Sequence, residues 1–170
     1  MRRALALIAD RRGAAAAELA LILPFLLALL FGGFEAGNFI WTHHKLVTAV
    51  RDRARFASRM DVQAVCNGAT PVMSAPLRDR IVLLTRTGQI DDANARPRVP
   101  DWEAGQVTVT VSCRAFAATG IYENLGEAGP VVTVEATGVP YRSLFGRLGI
   151  IEAADEARMT PRSSAAGIGL

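Results

Sequence analysis

The residues best placed to do chemistry are Gly13, Ala14 and Glu18. They lie in Gly13-Ala14-Ala15-Ala16-Ala17-Glu18, directly after Arg11-Arg12 and at the head of an apolar run that reaches Phe34. Between Ala14 and Phe34, Glu18 is the only charged side chain. A carboxylate inside a membrane segment costs about 3 kcal/mol by insertion scales and ordinarily has a partner. Hydrolysis of the bond after Gly13 would create one. Ala14 would then carry a free ammonium, Glu18 would be the fifth residue, and its carboxylate could neutralise the N-terminus of a neighbouring copy as helices pack side by side. A small residue before the scissile bond suits a peptidase that must bring extended backbone close to its catalytic groups. The simpler account places Glu18 in the first helical turn, favoured by the helix dipole and reaching toward the headgroups. That account leaves Gly13, five residues earlier and directly after two arginines, unexplained.

No other group of residues has the makings of a catalytic site. His43 and His44 are the only histidines, and adjacent helical residues point about 100° apart, which suits shared metal ligation poorly. Asp91-Asp92 reads as a solvated turn. There is no glycine-rich phosphate loop, and the serines lack a suitably placed downstream histidine. The sequence therefore predicts no enzyme, no cofactor, no metal and no small-molecule substrate. Cys66 and Cys113 belong to no Cys-x-x-Cys pair, which argues against a redox centre or a zinc site. In an oxidising compartment they would form a disulfide worth about 2–4 kcal/mol; the alternative is two unrelated buried thiols.

The elements that must position these residues follow from charge and hydropathy. The formal net charge of +3 is carried by the first thirteen residues, where Arg2, Arg3, Arg11 and Arg12 outweigh Asp10. The remainder is neutral, which sets nucleic acid aside as a partner. Arginines beside the first apolar segment hold that flank in the cytoplasm, so the chain after Trp41 should lie outside the inner membrane. Ala14–Phe34 is long enough as a helix to cross a ~30 Å hydrocarbon core. The residues that follow it make a poor signal-peptidase site, so the segment is expected to stay as an anchor. Pro24 frees the carbonyl of Ala20. Gly33 and Gly37 are spaced for close helix approach or for simple flexibility, and Phe39 and Trp41 suit an interfacial anchor. Helical periodicity continues through Leu46, Val50, Ala54 and Ala57, while Arg51, Arg55 and Arg59 form a stripe that is either solvated or meets acidic partners. A helix from Ala14 to about Arg59 would span roughly 70 Å.

The rest predicts a small α+β domain. A helix starts at Ser74-Pro76 and stops at Gly88, with Leu77, Ile81 and Leu84 on one face. A polar loop covers Gln89 to Gly105. Gln106–Phe116 alternates as a half-buried strand, and Val131–Val139 reads as a second. A short helical turn at Tyr122–Leu125, an amphipathic turn over Tyr141, Leu144, Phe145 and Leu148, and a weaker strand from Ile151 to Met159 complete the domain. The expected organisation is a cytoplasmic leader (1–13), a transmembrane helix (14–41), a periplasmic helix extension (42–60), an α+β periplasmic domain (61–159) and a flexible tail (160–170).

The stretch Arg-Gly-Ala-Ala-Ala-Ala-Glu-Leu-Ala-Leu-Ile-Leu-Pro at residues 12–24, together with Gly32-Gly33-Phe34-Glu35-Ala36-Gly37 and the helix ending near Arg59, resembles the TadE-like pseudopilins of tight-adherence type IV pilus systems. The resemblance implies a pilin-like fold and a single-pass protein of the bacterial inner membrane, with its N-terminus in the cytoplasm and its C-terminal domain in the periplasm. It implies that a prepilin peptidase removes the leader, with Gly13 before the cut, Ala14 as the new N-terminus and Glu18 as the assembly carboxylate. The partners it implies are that peptidase, other pilins or pseudopilins and the Tad inner-membrane assembly proteins, and the role is pilus assembly. The chain departs from the family pattern at Leu19, where an aromatic residue is usual. An uncleaved single-span anchor presenting a periplasmic binding domain is the alternative, and a domain released by signal peptidase is a third.

Overall fold

The computed structural model describes residues 13–92, 94–113, 130–147 and 157–167. Leader residues 1–12, the turn at Tyr122–Leu125, Leu148 and most of the strand anticipated from Ile151 lie outside them. The fold is α+β: a long N-terminal helix followed by small antiparallel sheets. Contacts divide the chain between Asn38 and Phe39 into two compact units, and the first helix, α1 (Ala14–Ala57), runs through that division without interruption. Pro24 lies inside it.

The described part of the first unit is helix with no buried side chain. Its large apolar side chains between Leu19 and Phe34 are 40–75% exposed. In water, apolar area of this kind costs about 25 cal/mol per Å². This unit therefore requires a non-aqueous environment or other chains.

In the second unit α1 acquires a buried face. Leu46, Ala49, Val50, Ala54 and Ala57 are buried, as expected for side chains at helical spacing with alanines allowing close approach. They pack in one core with Ile81, Val99, Trp102, Val107, Val109, Val132, Val134, Val139, Tyr141 and Met159. Phe39 meets the Tyr141 ring edge-on at 5.1 Å. After α1 come α2 (Val62–Val65) and a two-strand hairpin, β1 (Cys66–Asn67) and β2 (Thr70–Pro71). Gly68 turns the hairpin at φ +57°. Helix α3 (Ala75–Thr87) begins after Ser74 and ends at Gly88, which is left-handed at φ +79° and donates its N–H to the Leu84 carbonyl.

The loop after α3 is folded rather than merely polar. The Arg98 N–H donates to the Arg86 carbonyl at 2.7 Å, and Arg86 Nε donates to the Trp102 carbonyl at 2.8 Å. These two bonds fasten the loop to α3 and let it deliver Val99 and Trp102 to the core. A short 3₁₀ turn at Ala104–Gln106 leads into β3 (Val107–Ser112). That strand pairs antiparallel with β4 (Val131–Ala136), matching Val107 to Ala136, Val109 to Val134 and Val111 to Val132. The alternation read from Gln106 onward is present, with Val107 and Val109 buried and Thr108 and Thr110 exposed.

Two expectations for the C-terminal half are corrected. The single strand anticipated over Val131–Val139 is broken at Thr137-Gly138. There the Thr137 N–H turns to the Gln106 carbonyl at 2.7 Å, and Gly138 adopts φ +66°. Beyond the break, β5 (Val139–Pro140) pairs instead with β6 (Arg158–Met159), after a short helix, α4 (Leu144–Arg147). The tail expected to be flexible contains β7 (Arg162–Ala166), which pairs antiparallel with β4 and makes it the central strand. Thr133 and Ser164 face each other in this register, their hydroxyls 2.8 Å apart.

The hairpin is tied to the end of β3 by the Cys66–Cys113 disulfide, whose Cα atoms are 5.9 Å apart and which closes 47 residues of chain. Both half-cystines are buried beside Val65. In the chain-entropy description, closing a loop of that length restricts the unfolded state by about 4 kcal/mol. Replacing both by serine (Cys66→Ser with Cys113→Ser) should lower the urea unfolding free energy of the full-length protein by about 3–4 kcal/mol. An unchanged midpoint in a fluorescence-detected titration would show that the bond is idle.

Candidate functional site

Gly13 and Ala14 stand at the start of α1, and Glu18 lies four residues after Ala14. At that spacing Ala14 and Glu18 share a helical face, about 6 Å apart along the axis. All three are exposed, and an added Cβ at Gly13 would meet nothing within 4 Å. Glu18 makes no ion pair or hydrogen bond among the described residues. The carboxylate is therefore available to a group from outside the described chain, in the first turns of an apolar helix where an unpaired charge is expensive.

Other residues singled out in the sequence fall elsewhere. Cys66 and Cys113 are joined in the folded unit and brace it. His43 stacks on Phe39 at a ring separation of 6.3 Å. Arg51, Arg55 and Arg59 are exposed, which fits a solvated stripe. Arg53 differs from them: burial first, then the nearby Arg98 charge, pushes its pKa below the usual guanidinium range, against the opposing pull of Asp52.

One cluster is not visible in the sequence. His44, Lys45 and Thr48 on α1 are met by Arg98 from the loop after α3, and the four line a cavity of about 430 Å³. Only the tertiary fold brings Arg98 to the helix.

The structural class is set, among the described residues, by one helix long and apolar enough, by length and composition, to cross a membrane, leading into a small disulfide-braced α+β unit. Residues 13–55 match the family model described as TadE-like protein, so this segment is TadE-like, as the resemblance implied. The match begins at Gly13, takes in Ala14 and Glu18, and ends inside α1; it covers about a quarter of the chain and none of the sheets. No curated protein and no solved structure matches the chain. Together, the apolar helix and the TadE-like segment fit a membrane-anchored pilus protein.

The exposed apolar surface between Leu19 and Phe34 predicts that alkaline carbonate leaves the protein in the membrane pellet. Replacing Leu26 and Leu27 by arginine, at about 3 kcal/mol each near the helix centre, should move it to the supernatant. Release of the unaltered protein by carbonate would contradict a membrane-spanning helix.

Proposed function

We propose that the chain is a pilin-like subunit that a prepilin peptidase cuts after Gly13 and that takes part in assembling a tight-adherence type IV pilus. The observation that carries this reading is the exposed Glu18, without an ion pair among the described residues, one helical turn after Ala14 and within a TadE-like segment that begins at Gly13. Before cleavage, the arginine-rich leader holds the N-terminus in the cytoplasm and the folded unit lies in the periplasm. Cleavage removes the whole excess positive charge and creates an ammonium at Ala14. That ammonium and the Glu18 carboxylate of a neighbouring subunit can then pair in a low-dielectric medium, where an ion pair is far stronger than in water.

The bare apolar face supports the same reading. It can lie in lipid before assembly and against other pilin-like helices afterwards, since both environments are apolar. The protein serves as a structural subunit, whose partners are other pilins or pseudopilins and the Tad inner-membrane assembly proteins. An uncleaved anchor with a periplasmic binding domain is the competing reading, in which Gly13 has no special role.

Gly13→Leu should block processing, so that full-length precursor accumulates in membranes. Glu18→Ala should be processed normally yet be depleted about tenfold or more from sheared pilus fractions, as expected when a buried charge loses its counter-ion. Full-length protein in the unaltered strain, unchanged by Gly13→Leu, would count for the uncleaved anchor, and wild-type pilus formation by Glu18→Ala would argue against the carboxylate's role in assembly.

A further inference from the structure

Just past Trp41, Lys45 of α1 and Arg98 of the loop after α3 bring two positive charges to one cavity that the assembly role does not use. His44, Lys45, Thr48 and Arg98 line an open cavity of about 430 Å³, within the size range of small-ligand sites. Among the described residues this lining offers two permanent cations and hydrogen-bond donors, and no carboxylate. Neither Lys45 nor Arg98 forms an ion pair among the described residues. Arg98 is held in place: its backbone N–H is bonded to Arg86, and its guanidinium lies so close over Gly88 that an added Cβ there would fall 2.5 Å from Nη2. Arg53 feels the same surplus, since the Arg98 charge helps lower its pKa. Asp52 opposes that effect at Arg53, but among the described residues no carboxylate lines the cavity itself.

Its position indicates what neutralises it. Lys45 Nζ sits 5.2 Å from the centroid of the Trp41 ring, so the ammonium is folded back toward the helix N-terminus, the direction in which helical side chains lean. Trp41 suits the membrane–water boundary. Residues 44–48 follow it by about 5–10 Å along the axis, the depth of the headgroup layer. A lysine whose ammonium is held near an interfacial aromatic keeps its charge at that level, where it is placed to meet phosphate.

Resting on the membrane-spanning reading, we propose that this cavity binds the phosphodiester headgroup of an anionic phospholipid in the leaflet from which the folded unit emerges. Lys45 and Arg98 supply the charge, and His44 and Thr48 supply further hydrogen bonds. Bound lipid would fix the depth and rotation of α1 before assembly, which apolar burial alone leaves free.

The test uses the full-length protein in neutral detergent, titrated calorimetrically with short-chain phosphatidylglycerol, short-chain phosphatidylcholine and inorganic phosphate. Phosphatidylglycerol should bind at least about tenfold more tightly than the other two. Lys45→Gln combined with Arg98→Gln should weaken it about 20-fold, and Lys45→Gln alone, at an exposed position, about fivefold with no change in unfolding midpoint. Phosphate binding as tightly as phosphatidylglycerol would overturn the lipid assignment in favour of a free-anion site. Binding changed less than about twofold in either variant would remove the cavity from the account. Displacement of phosphatidylglycerol by hexaglutamate at lower concentration than by the lipid itself would assign the site to an acidic protein. Flotation of the same preparation with phosphatidylcholine vesicles separates the two readings: a protein that does not float loses the membrane span, whereas one that floats without preferring phosphatidylglycerol loses only the headgroup site.

Discussion

Everything in this chain is organised by the need to keep one helix out of water along its first half and to bury only one of its faces along its second. Residues 19–34 of α1 have no protein core to cover them. From Leu46 to Ala57 the same helix presents a stripe of leucine, valine and alanine to a packed domain. The change falls around Phe39 and Trp41, the aromatic residues that suit a membrane boundary. Glu18 is the exception in the first half, a charge in the opening turns of an apolar helix, where an unpaired carboxylate is expensive. The Ala14 ammonium of another subunit, exposed by processing, is the partner the proposed function supplies.

The folded unit builds its core partly on α1. Leu46, Ala49, Val50, Ala54 and Ala57 of the helix share one core with the valines of β3 and β4. The disulfide secures the small hairpin at one end of β3. Paired hydroxyls of Thr133 and Ser164 join β7 to the sheet's other edge. The Arg98 loop is fastened through Arg86 to α3 and reaches back to α1 at His44 and Lys45, so the domain meets its own helix just where the proposed lipid headgroups lie.

The sequence was most legible where periodicity and punctuation agree. The buried face of α1, the helix from Ser74 to Gly88 and the alternation of β3 could all be read because a 3.6- or two-residue repeat forces those side chains to one side. Pairing of Cys66 with Cys113 was one of two readings the sequence left open. The strand break at Thr137-Gly138 was hidden in a run of valines, because it depends on Gln106, whose side-chain Nε2 donates to the Gly138 carbonyl at 3.0 Å. Strand β7 was hidden for the opposite reason. Arg-Ser-Ser-Ala-Ala has little strand propensity, and its conformation comes from the β4 edge it pairs with. Val99 and Trp102 sit among prolines and charges that read as loop, and only the bonds to Arg86 turn that loop into core. At the candidate site, the spacing of Gly13, Ala14 and Glu18 was visible in one dimension, whereas the meeting of Arg98 with His44 and Lys45 was not.

The central claim is that Glu18 belongs to a processed N-terminus. Intact-mass analysis of the membrane-extracted protein, from cells with and without their prepilin peptidase, tests it most directly. The account predicts a chain beginning at Ala14 when the peptidase is present and one retaining residues 1–13 when it is absent. A chain that keeps those residues in both strains would contradict it.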